Sequence, residues 1–503
     1  MSANDEIANR HLLVSEGIER SSSDRTSTVR IVVGEAWASA RAGQLLTSCL
    51  VNLLVRQLKL IAKVEISSPP KPSLIQVPGP AVSAQFPDCL GMLGKWAVNG
   101  LIDVTTTSTS AHVDHTVLVG LPPAYGANGS GNVIVAIGDA WRAWVGFPEN
   151  APGDVIPASS SPLGPFLAAA LAAGEIFKRA HTIRRGAYLS HHGFSLWSGR
   201  SSSNWHELDP GPEVSGRSVP PVHVPGSGAV GNALAYLFAN LELLNGYLVI
   251  IDDDLYDTTN LNRCLLAGWS DLGDPKVQAV ARAFDGSTVG VYPFEGRVRD
   301  YVVDSRKYLR SDVAKDVDNL YFDIVASCVD RGASRQDVQG LRPRLLLGGS
   351  TLNLVARTNI YGMRPGAACL GCYNPAERDA GALLSLVGQL RSMSAEDRAE
   401  FLADRGLDPK SVETYLSGAA CGSIGETALR DFATRPPPQF SVGFVSLGAG
   451  LLLTAALLRH TVFATSAPVR NDMTSLTFLG GKLLDAGLSA DPSCELNCQG
   501  HAV

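Results

Sequence analysis

The chain has 503 residues, of which 45% are hydrophobic and 18% charged, a globular composition that excludes collagen-like, coiled-coil and wholly disordered classes. Lys and Arg number 42 against 48 Asp and Glu, a net charge of −6 with no basic run, which argues against a nucleic-acid binder. The N-terminal segment has no apolar signal region and the nine cysteines show no disulfide-framework spacing. We therefore expect a cytoplasmic protein of roughly two to four domains.

The first block of predicted elements resembles half of a nucleotide-binding fold. A strand, a turn and a long helix are predicted over 29–57, a later strand over 133–138, and an apolar helix over 162–180. The turn contains one glycine, Gly34, without a following GxGxxG pattern, and no acidic residue ends the next strand. This block therefore has the element order of a nucleotide-binding half but lacks the glycine pattern and the acidic residue that bind a nucleotide.

A polar segment, 186–221, is rich in Ser, Gly and Pro and separates this block from a second one. In the second block, predicted strands at 222–224, 247–252 and 323–329 alternate with predicted helices at 232–244 and near 275–284. Strands that alternate with helices indicate βαβ units and a mostly parallel sheet.

A glycine-rich turn opens the second block. Gly226, Gly228 and Gly231 follow a predicted strand and precede a helix, and Asp252 ends the next strand. Such glycines let the backbone approach phosphates at a helix N-terminus, and a carboxylate at this distance can accept ribose hydroxyls. The pattern favours nucleotide binding over the alternative, a tight turn without a ligand.

The charges that follow favour a triphosphate over a nicotinamide dinucleotide. Arg263 offers a planar fork of donors to phosphate oxygens, and Lys276 offers a point charge. Asp330, predicted at the end of a strand, is a carboxylate that could hold Mg²⁺ against those phosphates. The alternative is that these three residues are solvated loop charges. For any one of them considered alone, that alternative would be favoured.

Two short helices are predicted in the last third, over 394–406 and 408–418, each with an N-cap residue and a terminal glycine. They end just before Cys421, in a loop rich in Gly and Ser. Further on, 441–458 carries no charge, and its length meets the lower limit for a membrane span. Its Gly, Ser and Thr residues favour a buried core helix, so we expect no membrane partner.

The motifs GSGAVG, IIDDDLYDTTNLNR, DPKVQA, DIVASCVDRGASR and CLGC occur in an order that resembles the ubiquitin-activating enzyme superfamily. That superfamily includes the adenylyltransferases of thiamine and molybdopterin biosynthesis, and the resemblance is strong over 222–373. It implies ATP and Mg²⁺ as cofactors. The residues that it assigns to their site are Asp252 for the ribose, Arg263 and Lys276 for the phosphates, Asp330 for magnesium, and Asp254 and Asn260 nearby. Ala229 and Cys264 depart from the family pattern without removing a charge.

The resemblance also implies a role for the first block. Activating enzymes work as dimers or pseudo-dimers in which one adenylation-like half is inactive and its N-terminal helix donates an arginine to the other half's ATP site. Residues 9–20 resemble that segment, with Arg10 at the matching position. The alternative is an ordinary surface arginine.

Four cysteines are identified by the resemblance as a structural Zn²⁺ site. Cys369 and Cys372 form one pair, and Cys494 and Cys498 form the other, with one residue more than the family's Cys-x-x-Cys. Four thiolates suit a closed tetrahedral zinc site. The alternative is buried free thiols without a metal.

The position of Cys421 resembles the mobile loop that carries the thioester-forming cysteine of activating enzymes. An exposed loop cysteine close to backbone N–H groups can be kept partly as the thiolate. Cys49 and Cys328 lie in apolar runs and are predicted core residues, whereas Cys264 is the next candidate nucleophile because it follows the phosphate-binding motif.

The resulting prediction is an α/β protein with two tandem Rossmann-like adenylation domains, the first (1–200) degenerate and the second (201–503) active, with a catalytic-cysteine insert at about 375–440. The chain would be a pseudo-dimer that could dimerise further. Its predicted partners are a ubiquitin-like protein and a conjugating enzyme, as in bacterial ubiquitin-like conjugation operons with a role in antiviral defence. Two alternatives remain: a sulfur-carrier adenylyltransferase and a non-catalytic nucleotide-binding scaffold.

Overall fold

A computed structural model gives the architecture of most of the chain. The residues that it describes are 3–12, 26–79, 83, 85–107, 110, 112–120, 132–153, 155–181, 183, 188–302, 322–362, 367–372, 379–403, 407–417, 429, 440–492 and 494.

The elements of the first half begin with an N-terminal helix and end with two short strands. In chain order they are α1 (Ala3–Leu12), β1 (Ser27–Val33), α2 (Glu35–Ala38), α3 (Arg41–Leu54), β2 (Ile61–Ser67), α4 (Phe86–Val98), β3 (Asp103–Thr105), β4 (His115–Val119), β5 (Val133–Asp139), β6 (Arg142–Gly146), α5 (Leu163–Ala180), β7 (His191–Ser195) and β8 (Ser201–Ser202).

The second half alternates strands and helices and ends with a hairpin. Its elements are β9 (Val222–Pro225), α6 (Ala229–Asn240), β10 (Gly246–Asp252), α7 (Lys276–Arg282), β11 (Val289–Glu295), β12 (Ile324–Ser327), α8 (Gly332–Gly340), β13 (Leu345–Leu352), β14 (Val355–Tyr361), α9 (Asp379–Ser392), α10 (Ala395–Ala403), α11 (Pro409–Leu416), α12 (Gly443–His460), β15 (Met473–Thr477) and β16 (Lys482–Ala486).

The two sheets have the same strand order. The first is β3-β2-β1-β4-β5-β6-β7-β8 and the second is β11-β10-β9-β12-β13-β14-β15-β16. In each sheet the first five strands pair in parallel and the last three pair antiparallel. The prediction of an α/β fold with two parallel-rich sheets is therefore confirmed.

The polar segment 186–221, which was expected only to connect the two blocks, contains two strands of the first sheet. It contributes β7 and β8 to the first sheet, and it buries Trp197 and Trp205. The Ser195 hydroxyl donates to the carbonyl of Asp209 at 2.6 Å. Because its apolar side chains are few and widely spaced, composition alone did not reveal these strands.

A layer of four helices joins the two sheets. Helices α3 and α5 of the first half pack with α6 and α12 of the second, and their apolar side chains form one continuous core. The Phe166 ring stacks on Tyr236 with centroids 4.7 Å apart, and Phe177 lies 5.2 Å from Phe444. The two halves thus share a core across this layer.

Helix α12 contains the uncharged stretch that was weighed as a membrane span. In the described part of the chain it is the one helix long and apolar enough to cross a membrane, and 94% of it is buried inside the protein. It contacts α5, α6, β13 and β14, which agrees with the prediction of a core helix.

Candidate functional site

The glycine motif forms a tight turn between β9 and α6. Gly226 has a φ of +88°, and a Cβ there would come within 2.8 Å of the Cys328 backbone. A Cβ on Gly231 would lie 1.9 Å from the Gly226 carbonyl oxygen. At Gly228, which precedes the first residue of α6, a Cβ would meet no described atom within 4 Å. Two glycines therefore permit close packing, and the third faces open space at a helix N-terminus, where an anion is favoured.

Asp252 ends β10 and holds this turn. One carboxylate oxygen accepts the Ser227 N–H at 2.6 Å, and the other accepts the Asp254 N–H at 2.9 Å. Burial raises the pKa of Asp252, and the positive charge of Lys276 opposes that rise. Since each oxygen has further lone pairs, the carboxylate can still accept a ribose hydroxyl as predicted.

Lys276 is the first residue of α7, and its ammonium group lies 2.7 Å from the Asp254 carboxylate. Burial lowers the pKa of Lys276, but Asp252 and Asp254 raise it more, so its pKa lies above the ordinary value. Lys276 is therefore a buried, permanent cation at the carboxyl edge of the second sheet, close to the glycine turn.

Carboxylates that could hold a cation lie at the same edge. Oxygens of Asp252, Asp253 and Asp254 are within 4.8 Å of one another. Asp330, the predicted magnesium ligand, is exposed and follows Cys328, whose backbone abuts Gly226. Asp330 is not a member of the three-carboxylate group, so its role stays a prediction.

The loop after β10 forms a single 3-10 turn, Thr258–Asn260. The Asp257 carboxylate accepts the Asn260 N–H at 3.1 Å, and the Asn260 side-chain oxygen accepts the Asp257 N–H at 3.2 Å. The Arg263 guanidinium donates to the Thr259 carbonyl and, at 2.8 Å, to the side chain of Asn262. The reciprocal bonds between Asp257 and Asn260 fix the turn that leads to Arg263.

Helix α1, which contains Arg10, packs against this 3-10 turn. The Thr258 hydroxyl donates to the Glu6 carboxylate at 2.5 Å, and Ile7 and Ala8 are fully buried. The first half therefore contacts the candidate site of the second through α1. The predicted segment 9–20 overlaps this helix only at residues 9–12, and 13–20 lie outside the described residues. The side chain of Arg10 lies outside the described part of the structure.

The equivalent edge of the first sheet is filled by an indole ring. Trp37 follows β1 and is 3% exposed, and a Cβ on Gly120, just after β4, would lie 2.3 Å from its ring. Strand β2 ends at Ser67, where β10 has an aspartate. Among its described residues, the first sheet thus has neither the open glycine turn nor, at the end of β2, the strand-terminal carboxylate of the second.

Three of the four predicted zinc ligands lie together. The Sγ atom of Cys369 is 3.5 Å from that of Cys494 and 3.7 Å from that of Cys372. Sulfurs placed about 2.3 Å from a tetrahedral Zn²⁺ would be about 3.8 Å apart, so the three thiols fit a zinc site. Backbone N–H groups of Cys369 and Asp491 donate to the Cys372 sulfur. Cys498 lies outside the described residues.

We expect purified protein to contain about one Zn²⁺ per chain, and Cys369→Ser to lose it. Because the metal would join 367–372 to the C-terminal segment, this variant should also unfold at a lower temperature. Elemental analysis and calorimetry on the same samples measure both effects. Cys89→Ser, which changes a buried cysteine of α4, should keep the zinc. Metal-free wild-type protein would show that the thiols serve another purpose.

Cys421, the predicted nucleophile, lies outside the described residues. The helices before it, α9 to α11, have a small core of their own that includes Leu390, Leu402 and Val412. The structure argues against the alternative nucleophile Cys264, which is 1% exposed and whose pKa is raised by burial. Cys49 is fully buried, as predicted for a core residue, and Cys328 is partly buried; burial raises both pKa values.

Sequence reasoning missed a buried polar link beneath the site. Asn232 donates to the Tyr256 hydroxyl at 2.8 Å, and its side-chain oxygen accepts the Leu266 N–H at 2.9 Å. It thereby ties the glycine-turn helix to the loop after Arg263. The available signal was a polar residue directly after Gly231, within a mostly apolar helix.

Comparisons with known proteins agree with this geometry. Residues 219–435 match the ThiF family, and residues 28–196 match the BilD N-terminal domain. Residues 219–435 therefore form a ThiF-family domain, which agrees with the superfamily of ubiquitin-activating enzymes that the motifs resemble.

Individual relatives are distant. The uncharacterized protein y4jF of Sinorhizobium fredii is 23% identical over 289 residues, 52% of this chain and 53% of that protein. The adenylyltransferase and sulfurtransferase UBA4 of Debaryomyces hansenii is 29% identical over 168 residues, 32% of this chain and 34% of that protein. The chain thus matches about half or less of these relatives' length. The structure of E. coli MccB with ATP is 16% identical, with a TM-score of 0.33, and covers 55% of this chain and 65% of that one.

Proposed function

We propose that the protein is an ATP-dependent activating enzyme that adenylates the C-terminus of a ubiquitin-like protein. The observation that carries this proposal is the meeting of an open glycine turn, the Asp252 carboxylate and the buried Lys276 cation at one sheet edge. This set suits a ribose and a triphosphate. A ThiF-family domain over the same residues supports the assignment.

In the proposed reaction, the C-terminal carboxylate of the partner attacks the α-phosphorus of ATP, and pyrophosphate leaves as an acyl-adenylate forms. Lys276 and Arg263 would bind phosphate oxygens and stabilise the charge that develops on them. Asp252 would orient the ribose. Mg²⁺, when bound through Asp330, neutralises phosphate charge. Most of the rate enhancement would come from positioning the two reactants.

We propose that the Cys421 thiolate then attacks the acyl carbon, so that AMP leaves and a thioester forms for transfer to a conjugating enzyme's cysteine. The helices α9 to α11 would form the insert that carries this cysteine. Their hydrophobic core is separate from the main core, which suits a segment that moves during the cycle.

We propose that the first half is an inactive partner of the second. The repeated strand order supports an origin as two adenylation-like units, and Trp37 occupies the edge where the second sheet has its open turn. The contact between α1 and the 3-10 turn supports delivery of Arg10 to the ATP site.

ATP–pyrophosphate exchange tests the adenylation step. Exchange should require the ubiquitin-like partner and should collapse in Asp330→Ala, because the predicted magnesium ligand is lost. A wild-type protein that binds NAD and does not turn over ATP would refute the proposal.

The name of UBA4 favours a second candidate, a sulfur-carrier adenylyltransferase. That enzyme would complete the exchange reaction without forming a thioester on Cys421. Non-reducing gels of the protein with ATP and its partner distinguish the two candidates, since only the first gives a DTT-sensitive adduct.

A further inference from the structure

A fully buried arginine of the first half is bonded to the candidate site of the second. Arg56 lies just after α3, and its guanidinium donates to the carbonyls of Leu261 at 2.7 Å and Ala267 at 2.8 Å. Its Nε donates to the Asn52 side chain at 2.9 Å, and Asn52 donates to the Leu265 carbonyl at 3.0 Å. Arg56 and Asn52 together thus bind three carbonyls of a single loop.

That loop, residues 261–267, is here called the arginine loop because it contains Arg263. It directly follows the 3-10 turn that α1 contacts. On its other side, Asn232 of α6 accepts the Leu266 N–H, and Asn262 donates to the Ser441 carbonyl at 2.8 Å. The loop is therefore clamped between the glycine-turn helix and the first half of the chain.

The Arg56 charge persists in this buried place. Burial lowers its pKa to about 10, which leaves the guanidinium protonated at neutral pH. The Trp96 ring lies 5.6 Å away and adds a cation–π contact. Charged donors form the stronger hydrogen bonds, and a planar fork fixes the direction of each acceptor. Removal of Arg56 would leave several buried carbonyls of the arginine loop without a donor.

We infer that Arg56 is a positioning residue: it holds the arginine loop so that Arg263 meets the nucleotide, and it makes the first half an intramolecular activator of the second. The part that concerns ATP rests on the proposed function. The competing interpretation is that Arg56 only joins the two halves, as any buried interface residue would.

Hydrogen–deuterium exchange of the full-length chain tests the positioning without reference to ATP. In Arg56→Met, amides of 258–268 should exchange at least tenfold faster than in wild type, while the strands of both sheets keep their protection. Arg56→Lys and Asn52→Ala, which each retain part of the bonding, should give smaller increases and guard against a variant that does not fold. Unchanged exchange in the arginine loop of all three variants would overturn the inference.

Phe463→Leu is a matched control. Phe463 packs against Trp141 and Trp197 of the first half, at centroid distances of 6.0 and 5.5 Å, and so also joins the two halves. It follows the C-terminal end of α12, a helix about 27 Å long, whereas Ser441 precedes the N-terminal end of that helix. This variant should leave exchange in the arginine loop unchanged. Faster exchange there would mean that any weakened interface loosens the loop, and would support the competing interpretation.

A double-mutant cycle tests whether Arg56 acts through Arg263. Arg56→Met and Arg263→Ala should each raise the dissociation constant for ATP about tenfold, and the double variant should be less than about threefold weaker than Arg263→Ala alone. Multiplied effects would show independent roles and overturn the inference. If wild-type protein fails to bind ATP, the proposed function fails, whereas the exchange experiment still decides the positioning role.

Discussion

Replacement of Lys276 by methionine should reduce ATP–pyrophosphate exchange by about 10²- to 10³-fold, the usual cost of losing one donor to a developing charge. Methionine has a similar length and keeps the buried contacts of the side chain, but it removes the cation and leaves Asp252 and Asp254 to repel phosphates. The fold should survive, because Asp254 is largely exposed and gains water when its ion pair is lost. Since Asp252 and Asp254 raise the pKa of Lys276, this residue should produce no titration in the activity profile below pH 10.

Arg282→Met controls for the loss of a cation from the same helix. Arg282 ends α7 and pairs with Asp271 and Asp274 at 2.7 Å each, but its side chain is half-exposed. Exposed ion pairs contribute up to about 1 kcal/mol, so this variant should lose little stability and less than about threefold in exchange. Equal losses in Arg282→Met and Lys276→Met would show that Lys276 acts through the stability of α7.

Replacement of Cys421 by alanine should abolish the DTT-sensitive adduct with the ubiquitin-like protein and leave pyrophosphate exchange unchanged. The adenylation step needs ATP, Mg²⁺ and the partner's carboxylate, and none of these requires the thiol. Cys421→Ser should give a more stable, DTT-resistant oxyester if its hydroxyl reaches the same carbonyl. Non-reducing gels measure the adduct, and labelled pyrophosphate measures the exchange.

Cys264→Ala is the control for this experiment. The Cys264 thiol is buried, and burial raises its pKa, so it lacks the thiolate that attack requires. This variant should form the adduct as wild type does. An adduct that persists in Cys421→Ala would place the nucleophile on another cysteine, and the absence of any adduct in wild type that still adenylates would favour the sulfur-carrier reaction.

The parts of the fold that were predictable from sequence are those with a local cause. Strand β10 is a continuous apolar run, and the turn before α6 needs glycine because Gly226 has a positive φ and Gly231 packs against its carbonyl. The role of Asp252 could be predicted from its position at the end of this buried strand. These signals are close together in the chain, so a single sequence contains them.

The remaining features depend on contacts between distant segments. Arg56 and the carbonyl of Leu261 are 205 residues apart, and no pattern around Arg56 distinguishes it from a surface arginine. Trp37 resembles an ordinary helix residue until its place beside Gly120 is known. Strands β7 and β8 have short, mostly polar sequences, and they form because β7 pairs with β6 and β8 pairs with β7.

The buried position of α12 has a consequence for synthesis of the chain on the ribosome. Helix α5 packs against α12, yet 280 residues separate the end of α5 from the end of α12. At 5 to 20 residues per second, the nascent chain would wait roughly 15 to 60 s with the part of α5 that contacts α12 uncovered. We expect chaperones that shield hydrophobic surface to raise the soluble yield, which expression with and without such a chaperone would measure.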